Sequence, residues 1–359
     1  MPPRISRSLL PLIVASAIAI AGCAKNHPVA PVAAGPAAHT WEDLGLTTSY
    51  AQANALAEFQ GRLYAGGNFF GAAGSQAASL VSWSESQWFA PASQPNSDVL
   101  ALTVYGSLLV AGGAFDRAGR DSTGYLAAWD GLQWRPIGGG MDWDVLALAV
   151  QGTDLYAGGV FLHAGGVPAR LIARWDGSAW HAMGSGMDDV VAALAVYHGE
   201  LIAGGWFQTA GGVSAHYIAA WNGSNWHPLG AATDLNGVVR SLTVLHDTLF
   251  VGGHFSMAGG MPAYHVACWN GAMWDSLGPG LGQYTQEGVL ALSSYQDHLI
   301  AGGEFPGIVA TWRAGHWVQF GSLIGMANVF AEHGSRLYAG GWFDRLGGTG
   351  PNGVTRWAN

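Results

Sequence analysis

Short apolar runs, broken by glycine-rich turns, return in the same order along the body of the chain. In one well-defined unit, Val145–Val150 reads as a strand, Gly152 and Thr153 as a turn, and Leu155–Phe161 as a second strand. A loop follows from Leu162 to Arg170, then a third strand, Leu171–Trp175, a hairpin turn at Asp176 and Gly177, and a fourth strand, Trp180–Met183. The Asp-Gly pair tolerates the positive φ that a tight hairpin needs, so the unit is predicted to be one four-stranded antiparallel sheet.

The unit repeats. A Gly-Gly doublet after a short aliphatic run recurs at Gly66, Gly112, Gly158, Gly204, Gly252, Gly302 and Gly340, at intervals of about 46 residues with the last one shorter. A single four-stranded sheet leaves apolar surface on both faces, so neighbours must cover it in an open array or in a ring. The ends of the repeat region decide between the two. The last unit stops at Val354–Asn359 without a fourth strand, while Trp41–Gly45 carries the Trp-x-x-Leu/Met-Gly pattern of Trp180–Gly184 and Trp226–Gly230. Complementary halves have a use only in a ring, where exchange between the ends removes exposed sheet edges at the seam. The expected fold is therefore all-β: a seven-bladed β-propeller of four-stranded antiparallel blades, closed by the N-terminal strand completing the last blade. The doublets read as places where backbones or large rings approach closely. No helix start follows them, which excludes a phosphate-cradling role.

Ahead of the repeats, Arg4 and Arg7 precede an apolar stretch, Leu9–Ala21, that is too short to span a bilayer as a helix and reads as a signal peptide. It ends in Ile20, Ala21, Gly22 and Cys23, which resembles the lipobox of bacterial lipoproteins, where the cysteine is acylated and becomes the first mature residue. Ordinary cleavage after Ala21 is the alternative and would leave a secreted soluble protein. Residues 24–40 are rich in Ala and Pro and read as an extended tether. The predicted organisation is a signal peptide over 1–22, a lipidated tether over 23–40, and the propeller over 41–359. Resemblance to lipoprotein sorting rules, with Ala24 after the cysteine, implies the outer membrane or cell surface, reached through the lipid anchor only.

Composition agrees with a packed, turn-rich body: half the residues are apolar, a tenth are charged, and there are 55 Gly and 17 Trp. Lys plus Arg is 14 against 23 acidic residues, and Lys25 is the sole lysine, so no basic stripe is present to neutralise nucleic acid. The two cysteines, Cys23 and Cys268, fall in different segments, so the folded body has no internal disulfide.

The run Leu155–Gly159, followed by Arg174–Gly177 and Trp180, resembles the kelch repeat, with its glycine doublet and two spaced aromatics. It is closer to the degenerate kelch-like repeats of secreted bacterial proteins and fungal cell-surface polarity markers. It departs from the standard pattern in having Trp for the usual first Tyr and a shorter gap between the aromatics. The resemblance implies the fold and a protein or glycan ligand, and it does not fix a chemistry. One relative in that broad group is a copper oxidase, whose site would need a thiol-linked tyrosine. Cys268 is the only thiol in the body and reads as a small buried hydrophobe.

Thirteen histidines form no metal-binding spacing, and His181 and His227 occupy equivalent positions in different units, while His254 leaves a centre assembled across the ring conceivable. No nucleophile elbow or sialidase-type Asp box is present. Neither a catalytic residue, a metal nor a cofactor is assigned. The candidate ligand-binding residues lie on the loops. Asp98, Asp142, Asp144, Asp188, Asp189, Asp234 and Glu287 lie in fourth-to-first-strand loops and form an acidic arc on the face that also carries the second-to-third-strand loops. Trp143 lies in this arc, Trp206 and Trp342 directly follow a doublet, and Glu304 borders a shortened loop in the sixth unit. The resulting expectation is a monomeric, non-catalytic envelope lipoprotein that binds a protein or glycan at its loop-rich face. The alternatives are a glycoside-active hydrolase using two carboxylates of the arc, or a purely structural envelope component.

Overall fold

A computed structural model describes residues 40–46, 50–70, 78–231, 235–282, 288–305, 309–321, 323–344 and 351–358. The leader, Cys23, Asp234 and Glu287 lie outside them. The apolar runs form strands because each alternates large or small apolar side chains between two blade neighbours, and turn residues stop them. In the third unit, strands Val145–Gln151, Asp154–Gly159, Ile172–Trp175 and Trp180–Ala182 pair antiparallel in sequence order. Seven such four-stranded sheets are present.

The first strand of every blade packs against the first strands of both neighbours through a complete circle, Gly325–His333 meeting Tyr50–Phe59 at the join. These strands therefore line the central axis, and the molecule is the closed seven-bladed propeller that the repeats predict. In the seventh sheet the order is Trp41–Asp43, Pro351–Trp357, Arg336–Asp344, Gly325–His333, so the outermost strand comes from the other end of the chain.

The apolar core lies between blades rather than within them. One cluster, for example, joins Val110, Leu126 and Ala128 of the second blade to Val145, Leu155 and Phe161 of the third. The doublets make this approach possible, and their two glycines do different things. A Cβ on Gly158 would collide with the Val191 side chain of the next blade, whereas one on Gly159 would collide with the Asp144 carbonyl oxygen of its own blade. The same pair of obstacles recurs at Gly112 and Gly113. Opposite the second glycine each first strand carries a β-bulge, which brings that carbonyl inward. Two residues beyond it stands a buried phenylalanine in every blade: Phe69, Phe115, Phe161, Phe207, Phe255, Phe305 and Phe343.

Fourteen of the seventeen tryptophans form seven recurring pairs, one on the third and one on the fourth strand of each blade. Ring centroids within a pair lie 5.2 to 5.5 Å apart. The fourth-strand indole N–H of each pair also donates to a carbonyl of the preceding blade, as in Trp180 to Ile137 at 3.3 Å and Trp226 to Met183 at 3.0 Å. This ring of bonds runs through the seam: Trp88 donates to Leu44 O at 3.2 Å and Trp41 to Phe320 O at 3.1 Å. At the seam itself Trp41, Glu42 and Asp43 pair with Trp357, Arg356 and Thr355. Two N–H groups of Arg356 reach one Glu42 carboxylate oxygen at 2.6 and 3.0 Å.

Candidate functional site

The fourth-to-first and second-to-third connections share one face, as hydrogen bonds between them demonstrate. Asp142 Oδ1 accepts the amides of Leu162 and His163 at 2.8 and 2.9 Å, and Asp188 Oδ1 accepts those of Gln208 and Thr209 at 2.9 Å. In the fifth blade Asn236 makes the same pair of contacts, to Ser256 and Met257. These side chains fasten a small hairpin in the long loop to the connection that precedes it, and an amide serves as well as a carboxylate. Burial opposes ionisation of Asp142 and Asp188, but the loop hydrogen bonds outweigh it and hold both below the usual carboxylate range.

The acidic arc therefore divides by register. Asp142 and Asp188 are loop clamps. Asp189, one residue on, accepts its neighbour Val190's amide at 2.7 Å and stays exposed. Trp143 occupies the equivalent position, is 59% exposed, and stacks on Tyr125 with centroids 6.5 Å apart. Asp98 and Asp144 come one residue later still, where the axial strand begins, and face the mouth of the channel.

Two sets of residues form the rim of that mouth. One set begins the axial strands and includes Gln52, Asp98, Asp144, Val190, Val238, Gly288 and Met326. The other directly follows the doublets: Asn68, Ala114, Val160, Trp206, His254, Glu304 and Trp342. Backbone pairing places each member of one set beside its counterpart in the other. Strand alternation explains why the second set is free to vary, since the buried phenylalanine beside it points into the core.

Contacts around the rim pass from one blade to the next. Asn68 donates to Asp98 Oδ1 at 2.9 Å. Burial, only partly countered by Asn68, raises the Asp98 pKa, while burial and then repulsion from Asp98 raise that of Asp144. On the other side, Arg240 holds its guanidinium carbon 5.1 Å from the Trp206 ring centroid, and His254 Nε2 lies 3.3 Å from Glu304 Oε2. The Arg240 side chain is solvent-accessible yet ringed by protein; burial pulls its pKa down and Glu304 pushes it back up. The mouth thus carries two groups, the acids Asp98 and Asp144 on blades two and three and a mixed Trp206, Arg240, His254 and Glu304 cluster on blades four to six.

Of the sequence candidates, Trp206 and Glu304 belong to that cluster and Asp98 and Asp144 to the opposite side. Trp342 stands apart on the seventh blade, 37% exposed, opposite Met326. Arg240 and Asn68 were not singled out from the sequence. Arg240 fills the first-strand bulge position, which is Leu100, Leu146, Ala192 and Leu290 in other blades, so its charge against that background was the available signal.

Cys268 is fully buried, and His181 and His227 pair with Asp176 and Glu200 at 2.6 and 3.1 Å. Among the described residues no group of three His, Cys, Asp or Glu side chains is arranged to hold a metal.

No family model matches the chain, and no curated protein matches it. Solved structures match its fold. The WD40 β-propeller domain of Doa1 has a TM-score of 0.57 at 12% identity, over 89% of this chain and 96% of that one. The extracellular domain of BT4673 from B. thetaiotaomicron has a TM-score of 0.59 at 10% identity, over 89% of this chain and 40% of that one. YCF48 bound to D1 peptide has a TM-score of 0.55 at 14% identity, over 92% of this chain and 98% of that one. These likenesses concern the propeller fold.

Proposed function

We propose that this chain is a non-catalytic binding module of the cell envelope, which holds a polypeptide partner at the loop-rich mouth of its propeller. The observation that carries the reading is the rim itself: side chains that vary freely from blade to blade converge there, on a scaffold whose other positions repeat. Variable polar and aromatic groups held by a rigid ring are what recognition needs. A propeller of similar fold, YCF48, has been solved with a peptide bound. Lipidation at Cys23 and the Ala/Pro tether would carry the module at the outer membrane, facing its partner.

Site-specific photo-crosslinking in envelopes tests this. A crosslinker at Trp342 is expected to give a discrete protein adduct, and one at His246 on the opposite face is expected to give none. Equal labelling from both faces, or adducts to glycan alone, would refute a polypeptide partner at the mouth.

A hydrolytic reading keeps one specific observation in its favour, because Asp98 and Asp144 face the same mouth with raised pKa values. Glycoside turnover that vanishes in Asp144→Asn would establish it.

A further inference from the structure

We propose that Arg240, laid over Trp206 at the channel mouth, is the receptor for a single carboxylate group of an entering polypeptide segment. This rests on the reading that the mouth binds a polypeptide, and it gives that binding a chemistry.

Arg240 occupies a bulge, where the backbone re-aims a side chain, and the neighbouring blades place small or apolar residues at the same point. The Trp206 ring holds the guanidinium by cation–π attraction, which fixes its plane and leaves the donor-bearing edge open. The Arg240 guanidinium donates no hydrogen bond to another described residue; the nearby Glu304 is engaged with His254 at 3.3 Å and acts on Arg240 through space. A forked cation restrained in advance and lacking an acceptor matches a planar carboxylate, because little side-chain freedom remains to be lost on binding.

The same rim limits what can bring that carboxylate. Asp98, Asp144 and Glu304 stand around the mouth, and the chain has a formal net charge of −9, so a ligand carrying negative charge along its whole length is repelled. A polypeptide can offer one carboxylate amid neutral neighbours. A uronate polymer repeats its charge and meets all three acids.

The test uses the full-length chain in detergent and a random peptide library displayed both internally and with free C-termini. Enriched peptides are then synthesised with Asp or Glu changed to Asn or Gln, and separately with an amidated C-terminus, which distinguishes a side-chain carboxylate from a terminal one. Removing that carboxylate, or making Arg240→Gln, is expected to weaken binding about ten- to hundredfold, with the double change no worse than either alone. Arg240→Lys keeps the charge without the fork and is expected to recover part of the loss. Unchanged circular dichroism and melting of both variants would certify their folding. Enriched peptides that bind Arg240→Gln as tightly as the parent would overturn the carboxylate receptor while leaving peptide binding intact. Failure of any peptide to enrich would remove the underlying reading with it, and oligogalacturonate binding lost in Arg240→Gln would replace the polypeptide by an anionic glycan.

Discussion

The indole N–H of Trp41 donates to the backbone oxygen of Phe320 at 3.1 Å, joining the first described strand to the sixth blade by the same bond that every interior blade makes to its predecessor. The seam is therefore built like the other six junctions. Trp41→Ala is expected to cost about 3–5 kcal/mol in urea unfolding, as for other buried aromatics. Trp41→Phe, which keeps a ring but loses the donor, is expected to cost about 1 kcal/mol more than a ring swap alone. Deleting Trp41–Gly45 should expose the edge of Pro351–Trp357, and unchanged thermal stability would contradict the closure.

The two glycines of a doublet should respond differently to rescue. Gly158→Ala is expected to destabilise by about 1–3 kcal/mol through its clash with Val191, and Val191→Ala should restore part of that loss. Gly159→Ala meets the Asp144 backbone instead, so no side-chain truncation should rescue it.

Carboxylates two residues apart should show opposite acid behaviour. The folded Asp144 pKa lies above its unfolded value near 3.8, so its stabilising effect is complete below that value and disappears as pH rises through the folded pKa. Asp144→Asn should therefore leave the melting temperature unchanged or higher near neutral pH, with no such benefit in acid. Asp142 has the reverse sign: its contribution is present above the unfolded pKa and is lost as pH falls through the folded one. Asp142→Ala is expected to cost about 1–2 kcal/mol near neutral pH, and Asp142→Asn much less, because Asn236 already performs this task.

Cys23→Ser is expected to abolish incorporation of labelled palmitate and to release the protein from the membrane fraction. Retention of label would disprove acylation at that residue.

The repeat, the blade count and the exchanged outer strand were all legible in the sequence, because glycine doublets and paired tryptophans answer to backbone approach and to packing, which recur with each blade. The roles of the acids were less legible. Asp142, Trp143 and Asp144 are consecutive, yet one clamps a loop, one stacks on Tyr125 and one faces the channel, since loop register sets the direction of each side chain. A clue lay in Asn236, which stands where Asp142 and Asp188 do and signals that the position requires an acceptor rather than a charge. Arg240 escaped notice because a bulge turns it toward the mouth, and a bulge shifts the strand register from which orientation is read.

Because the outer strand of the seventh blade is Trp41–Asp43, the portion of the body synthesised first is among the last to be fully partnered. A nascent chain must keep this short piece uncommitted until Trp357 has emerged, so completion of the circle cannot precede translation of the final blade. Any product cut short before that point would leave Trp41–Asp43 without its partner strand, a marker by which proteases could distinguish unfinished molecules from finished ones.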